Sequence, residues 1–159
     1  MVALPAALRG EFAGCGGSGS AAAVKLQLTF ELLYGAMEAV ELEAGRSPDQ
    51  AYAGHVSHLR PGALYLSDLG YFVVQRLQAI DQQRAYFLSR LDVQTAVFDA
   101  QTAERLDLWV WLRQQTQTTL ETEWLVGAHE KLRCRVLVVQ LPQEVADRRR
   151  QKAQENAAR

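Results

Sequence analysis

Apolar and polar residues alternate without a break over residues 24–31: Val24, Leu26, Leu28 and Phe30 against Lys25, Gln27, Thr29 and Glu31. A period of two is the pattern of a half-buried strand, with its apolar set expected toward the core. Tyr34-Gly35 supplies a turn, and residues 36–43 continue as a second strand with Val40 and Leu42 inside, so the pair predicts a β-hairpin. Ser47 as a cap and Pro48 at a first helical position predict a helix over residues 48–59, ended by Pro61-Gly62. The apolar run 63–67 predicts a short strand buried on both faces. After Gly70 the spacing lengthens, with Phe72, Val73, Leu77 and Ile80 on one face of a helix over 71–80. Residues 85–91 form a second apolar run. Strand, helix and strand at this spacing predict a parallel βαβ unit, and with the preceding hairpin they give a mixed sheet.

The texture changes after Leu91. Residues 95–126 mix short apolar pieces with Gln- and Thr-rich pieces and carry Trp109, Trp111 and Trp124. Residues 104–113 fit either a helix or a strand, whereas 118–126 and 133–140 read as strands of a β-rich subdomain. Pro142 stops the last strand. The segment from Gln143 onward reads as a helix that is polar all round, a kind that bridges to something or rests on a partner.

Composition narrows the classes. The 159 residues are 48% hydrophobic and 22% charged, with a net charge of −1. That is ordinary globular usage with no global basic field to draw nucleic acid, so DNA binding would rest on local patches. Cys15 and Cys134 are far apart and form no C-x-x-C pair, which argues against a zinc site or disulfide framework and fits a reducing cytoplasm. No apolar run reaches membrane-spanning length and no signal peptide is evident, so an intracellular, cytoplasmic location without membrane contact is expected. Residues 10–20 are Gly- and Ser-rich but lack the Lys-Ser/Thr of a phosphate loop, and they read as a mobile loop.

The chemistry concentrates in residues 63–90. Asp68 stands just past a strand, where α/β enzymes place metal-binding carboxylates; a helix N-cap is the alternative role for an Asp at that place. Arg90 closes the second run, at the same sheet edge as Asp68 if the βαβ unit forms, where an ion pair with Asp92 or Asp81 is one role for it. His55 and His58 share a helical face but lack the Glu of an H-E-x-x-H motif, so a helix surface is expected. Arg148, Arg149, Arg150 and Lys152 are partly offset by Glu144, Asp147 and Glu155 and read as a solvated face. The three tryptophans are expected in a core rather than as base-stacking platforms.

The segments LPAALRGEFAG, LYLSDLGYF, RAYFLSRL and CRVLVVQLPQEVADRRRQKA, taken in order, resemble the insertion-sequence-four type of bacterial DDE transposase. The resemblance implies an α/β, RNase H-like mixed sheet with flanking helices and a β-rich insertion, truncated at both ends. The corresponding divisions are a loop-rich segment 1–22, a partial catalytic core 23–93, a β-rich insertion 94–142 and a polar helix 143–159. It implies DNA transposition, with Mg²⁺ held by three carboxylates at the transposon ends, and pairing with intact transposase. Asp68 is the catalytic and metal-binding carboxylate carried over by the match, and Arg90 a DNA contact. The first Asp and the Glu of the triad are expected outside this chain, leaving it inactive by itself. A non-catalytic regulatory remnant and an unrelated α/β interaction domain are the competing readings.

Overall fold

The computed structural model describes residues 1–15 and 20–157, so residues 16–19 of the Gly- and Ser-rich loop lie outside the described residues. The chain forms two compact units, Met1–Asp92 and Val93–Arg159.

In the first unit, β1 (Val2–Leu4), β2 (Ala22–Glu31) and β3 (Ala36–Ala44) form an antiparallel sheet in the order β1-β2-β3. Strand β1 lies in the segment 1–22 expected to be loop-rich, ahead of the Gly- and Ser-rich stretch. The β2–β3 hairpin appears where alternation predicts it, with Gly35 at φ +68° in its turn. The Glu31 carboxylate accepts hydrogen bonds there from the amides of Leu33 (3.0 Å) and Tyr34 (2.6 Å). Its facing is the reverse of the expectation. Leu26, Leu28, Phe30, Met37, Val40 and Leu42 are exposed, and Gln27 is buried at 3% exposure. Alternation states which residues share a face, and partners elsewhere decide which face is covered. Here the covering segments bring polar groups to Lys25 and Gln27.

The helix expected over residues 48–59 is broken into a 3₁₀ turn, Asp49–Ala51, and a short α1, Gly54–Ser57. Lys25 Nζ donates to both the Ser47 carbonyl (2.6 Å) and Asp49 Oδ1 (2.7 Å), drawing the would-be cap into a tertiary contact. Tyr52 is extended, at φ −72° and ψ 122°, which ends the first turn.

Strand β4 (Leu64–Leu66) and β5 (Tyr86–Leu88) are parallel and joined through a 3₁₀ turn (Leu69–Tyr71) and α2 (Val74–Gln82). This is the predicted βαβ unit, with the helix beginning three residues later than expected. Leu77 (2%) and Ile80 (0%) are buried from α2, together with Phe72 and Ala85. Helix α2 packs on β5, leaving one face of the strand pair open. Leu64, Leu66, Tyr86 and Leu88 are accordingly exposed, which corrects the expectation of strands buried on both faces. The two sheets of this unit are separate, so the α/β assignment holds while one continuous mixed sheet is not formed by the described residues. Strand existence is written locally, whereas pairing depends on distant segments.

In the second unit β6 (Val97–Asp99), β7 (Thr119–Val126) and β8 (Leu132–Val139) form an antiparallel sheet in that order. The ambiguous segment 104–113 contains α3, Leu108–Arg113, capped by Asp107 Oδ1 accepting from the amides of Trp109 and Val110, each at 3.0 Å. Trp124 (2%), Val126 (2%), Val97 (2%) and Leu132 (8%) make the core, and Trp111 meets Trp124 edge-on at 4.9 Å. Trp109, expected inside, is 60% exposed. The last helix, α4 (Gln143–Ala157), is exposed at most of its described positions and laced by contacts such as Gln143 to Asp147 and Arg150 to Asp147.

Candidate active site

Parallel pairing of β4 and β5 brings Leu66 opposite Leu88, so the residues two steps beyond, Asp68 and Arg90, emerge at the same carboxyl edge. They line one open depression with Leu66, Ser67, Leu88 and Ser89. A second depression, in the other unit, is lined by residues including Thr95, Arg105, Asp107 and Trp109, with no grouping of titratable side chains that points to chemistry.

Asp68 is exposed, and its Oδ1 accepts from the Gly70 amide at 2.9 Å, capping the 3₁₀ turn. The capping role and the strand-tip placement are therefore both realised, the cap on the 3₁₀ turn instead of on α2. Its second oxygen takes no protein hydrogen bond among the described residues. Arg90 is exposed and forms no ion pair among the described residues, so neither Asp92 nor Asp81 holds it.

Behind the turn lies a polar cluster that the sequence pattern did not disclose. The Tyr71 hydroxyl donates to Gln27 Oε1 at 2.7 Å, and Gln27 Nε2 donates to Glu43 at 2.9 Å. Arg76, 7% exposed, donates to the carbonyls of Tyr71 and Gln50, each at 2.9 Å. Burial raises the Tyr71 and Tyr65 hydroxyl pKa values, and the hydrogen bond to Asp49 raises that of Lys25. The one signal in the sequence is Arg76, a cation four residues after Phe72 and next to Leu77 on the apolar side of α2.

The residues at the strand tips do not by themselves fit a pair of divalent ions. Mg²⁺ wants several oxygen ligands, and among the described residues no three of His, Cys, Asp and Glu come together. His58 approaches Glu41 at 3.7 Å; the side chain of His55 lies outside the described residues, so their pairing is not addressed. No helix among the described residues is long and apolar enough to cross a membrane.

Comparison with known proteins agrees with the segment-by-segment likeness. The chain is 28% identical to the transposase for insertion sequence element IS231B of Bacillus thuringiensis subsp. berliner over 167 aligned residues, covering 94% of this chain and 35% of that protein. It is 33% identical to the IS231F transposase of B. thuringiensis subsp. israelensis over 99 residues, 62% of this chain and 21% of that protein. With the transposase of IS1151 from Clostridium perfringens the figures are 30% over 96 residues, 60% and 20%. The chain thus spans 35% or less of the length of these relatives. No solved structure matches it. A family model described as the transposase DDE domain matches residues 8–152, and the chain belongs to that family.

Proposed function

We propose that this chain forms the central part of an RNase H-like DDE transposase core and serves DNA transposition. In that reading Asp68 is the one carboxylate that the described residues contribute to the DNA-cleaving centre, and Arg90 contacts DNA phosphate beside it. The observation that supports this most is the shared strand edge: an exposed carboxylate and an exposed arginine, neither in an ion pair among the described residues, line one open depression. Guanidinium binds phosphate through paired donors, which makes the arginine a fitting neighbour for a phosphodiester. Divalent metal belongs to the proposal for the assembled enzyme, Mg²⁺ being the expected ion.

The test is a chimera in which these residues replace the matching segment of the IS231B transposase. Transposition is expected with the unaltered segment, and Asp68→Asn is expected to lower it by more than about 100-fold, beyond the ~10–100-fold that loss of an outer-shell metal partner costs. Arg90→Gln should weaken DNA binding, more so at low salt. Undiminished transposition by Asp68→Asn would overturn the assignment. The isolated 159-residue chain should not nick DNA with Mg²⁺ or Mn²⁺.

A second reading, a non-catalytic chain that pairs with intact transposase, is favoured by the exposed apolar face of β2–β3. Adding the chain to cells carrying an intact relative separates the two: interference that persists with Asp68→Asn belongs to pairing alone.

A further inference from the structure

We infer that Gln27, Tyr71 and Arg76 are positioning residues that fix where the Asp68 carboxylate stands, an inference that rests on the proposed role of Asp68. The turn that carries Asp68 is closed by two bonds: the Tyr71 amide to the Asp68 carbonyl (3.2 Å) and the Gly70 amide to Asp68 Oδ1 (2.9 Å). Holding Tyr71 therefore holds both ends of the carboxylate-bearing turn. Tyr71 is held in turn by its hydroxyl on Gln27 and by its carbonyl, which accepts from Arg76.

The burial of the two partners is what makes this more than a surface contact. Gln27 is 3% exposed and Arg76 is 7% exposed. A buried guanidinium costs desolvation energy that a hydrophobic side chain of similar size would avoid, and Arg76 has no carboxylate partner among the described residues to offset it. Its fork spans two backbone carbonyls instead, Tyr71 on one turn and Gln50 on the other. Arg76 thus locks the two 3₁₀ turns together. Lys25, two residues before Gln27 on the same face of β2, anchors the second turn through Asp49.

Gly70 stands close to its own cap and within ordinary contact of the other turn. A Cβ at this position would stand 3.1 Å from Asp68 Oδ1 and 3.5 Å from Asp49 Oδ2. The inward polar face of β2 therefore has a geometric purpose: Lys25 reaches the first turn through Asp49 and Gln27 reaches the second through Tyr71, the turn that Asp68 caps.

The experiment uses the 159-residue chain and reads Asp68 directly. NMR of ¹³C-labelled aspartate gives the Asp68 Cγ signal, assigned by its loss in Asp68→Ala, and hydrogen exchange gives the Gly70 amide. Tyr71→Phe removes one hydroxyl, and Arg76→Lys keeps the charge while losing the fork. Both are expected to move the Asp68 Cγ signal and to speed Gly70 exchange by about fivefold, the scale of one lost hydrogen bond, while the core amides of Leu77 and Ile80 stay protected. Unmoved Asp68 and Gly70 signals in either folded variant would overturn the inference, as would equal loosening of Leu77 and Ile80, which marks a general packing role. If the chimera shows Asp68→Asn to be harmless while these signals move, the functional reading fails and the positioning geometry stands. If Asp68→Asn abolishes transposition while the signals stay fixed, this inference fails alone.

Discussion

The hairpins β2–β3 and β7–β8 are built from the same alternation and bury opposite halves of it. In β7–β8, Trp124, Val126 and Leu132 face inward. The outward face carries Arg133 with Glu123 and Arg135 with Glu121 as diagonal cross-strand pairs. In β2–β3 the aliphatic set faces outward, and Gln27 is buried against Tyr71 and Glu43. The difference lies in what each hairpin meets. The first is covered by turns that present a tyrosine hydroxyl, an aspartate and an arginine-held carbonyl. The second closes on Trp111 and β6. A strand's pattern is thus a statement about pairs of faces, and its surroundings choose between them.

The comparison can be broken most forcefully at Trp124. Trp124→Ala removes the largest buried side chain of β7 and its edge-on contact with Trp111, and should cost about 3–5 kcal/mol in denaturant unfolding. A loss under about 1 kcal/mol would remove Trp124 from the core. A smaller and opposite pair of effects tests β2. Gln27→Leu removes the buried amide's bonds to the Tyr71 hydroxyl and to Glu43 and should destabilise by about 1–3 kcal/mol. Leu28→Gln, on the 60% exposed position next to it, should change stability by no more than about 0.5 kcal/mol and reduce light scattering. If Leu28→Gln proved the costlier of the two, the facing predicted from alternation would be restored.

The pH response sharpens the contrast between the units. Lys25, Tyr65 and Tyr71 have folded pKa values raised above their unfolded ones, Lys25 through Asp49 and the tyrosines through burial. A raised folded pKa means that the folded state holds its proton more tightly. Their contribution is therefore whole below pH about 10 and is lost as pH rises through the folded values. Asp99 in the second unit is lowered by the amides of Thr102 and Gln101, so its contribution is present above the unfolded value of about 3.9 and lost as pH falls through the folded one. Amide exchange followed against pH should show the first unit loosening first in alkali and residues around Asp99 loosening first in acid. The reverse order would undo this assignment of sensitivities.

The legible part of the chain follows local physics. Strand periodicity located β2, β3, β7 and β8 within a residue or two, because side chains alternate wherever a strand forms. The βαβ unit was equally clear, and it put Asp68 and Arg90 at one edge through chain connectivity and parallel register. The helix expected after Pro48 failed for a nonlocal reason. Lys25, more than twenty residues upstream, takes the Ser47 carbonyl and the Asp49 carboxylate that a helix start would have used. Arg76 stands out in the sequence only as a cation on an apolar helix face, and its role comes from the distant carbonyls that it reaches.

The sequence by itself determined the β2–β3 and β7–β8 strands, the parallel crossover of β4 and β5, the edge carrying Asp68 and Arg90, and the ordered likeness to DDE transposases. Each of these depends on spacing along the chain. Tertiary structure decided which face of β2 is buried, how the two 3₁₀ turns are locked and why a glutamine, a tyrosine and an arginine stand behind Asp68. These depend on groups distant in sequence, whose hydrogen bonds must be satisfied once they are withdrawn from water.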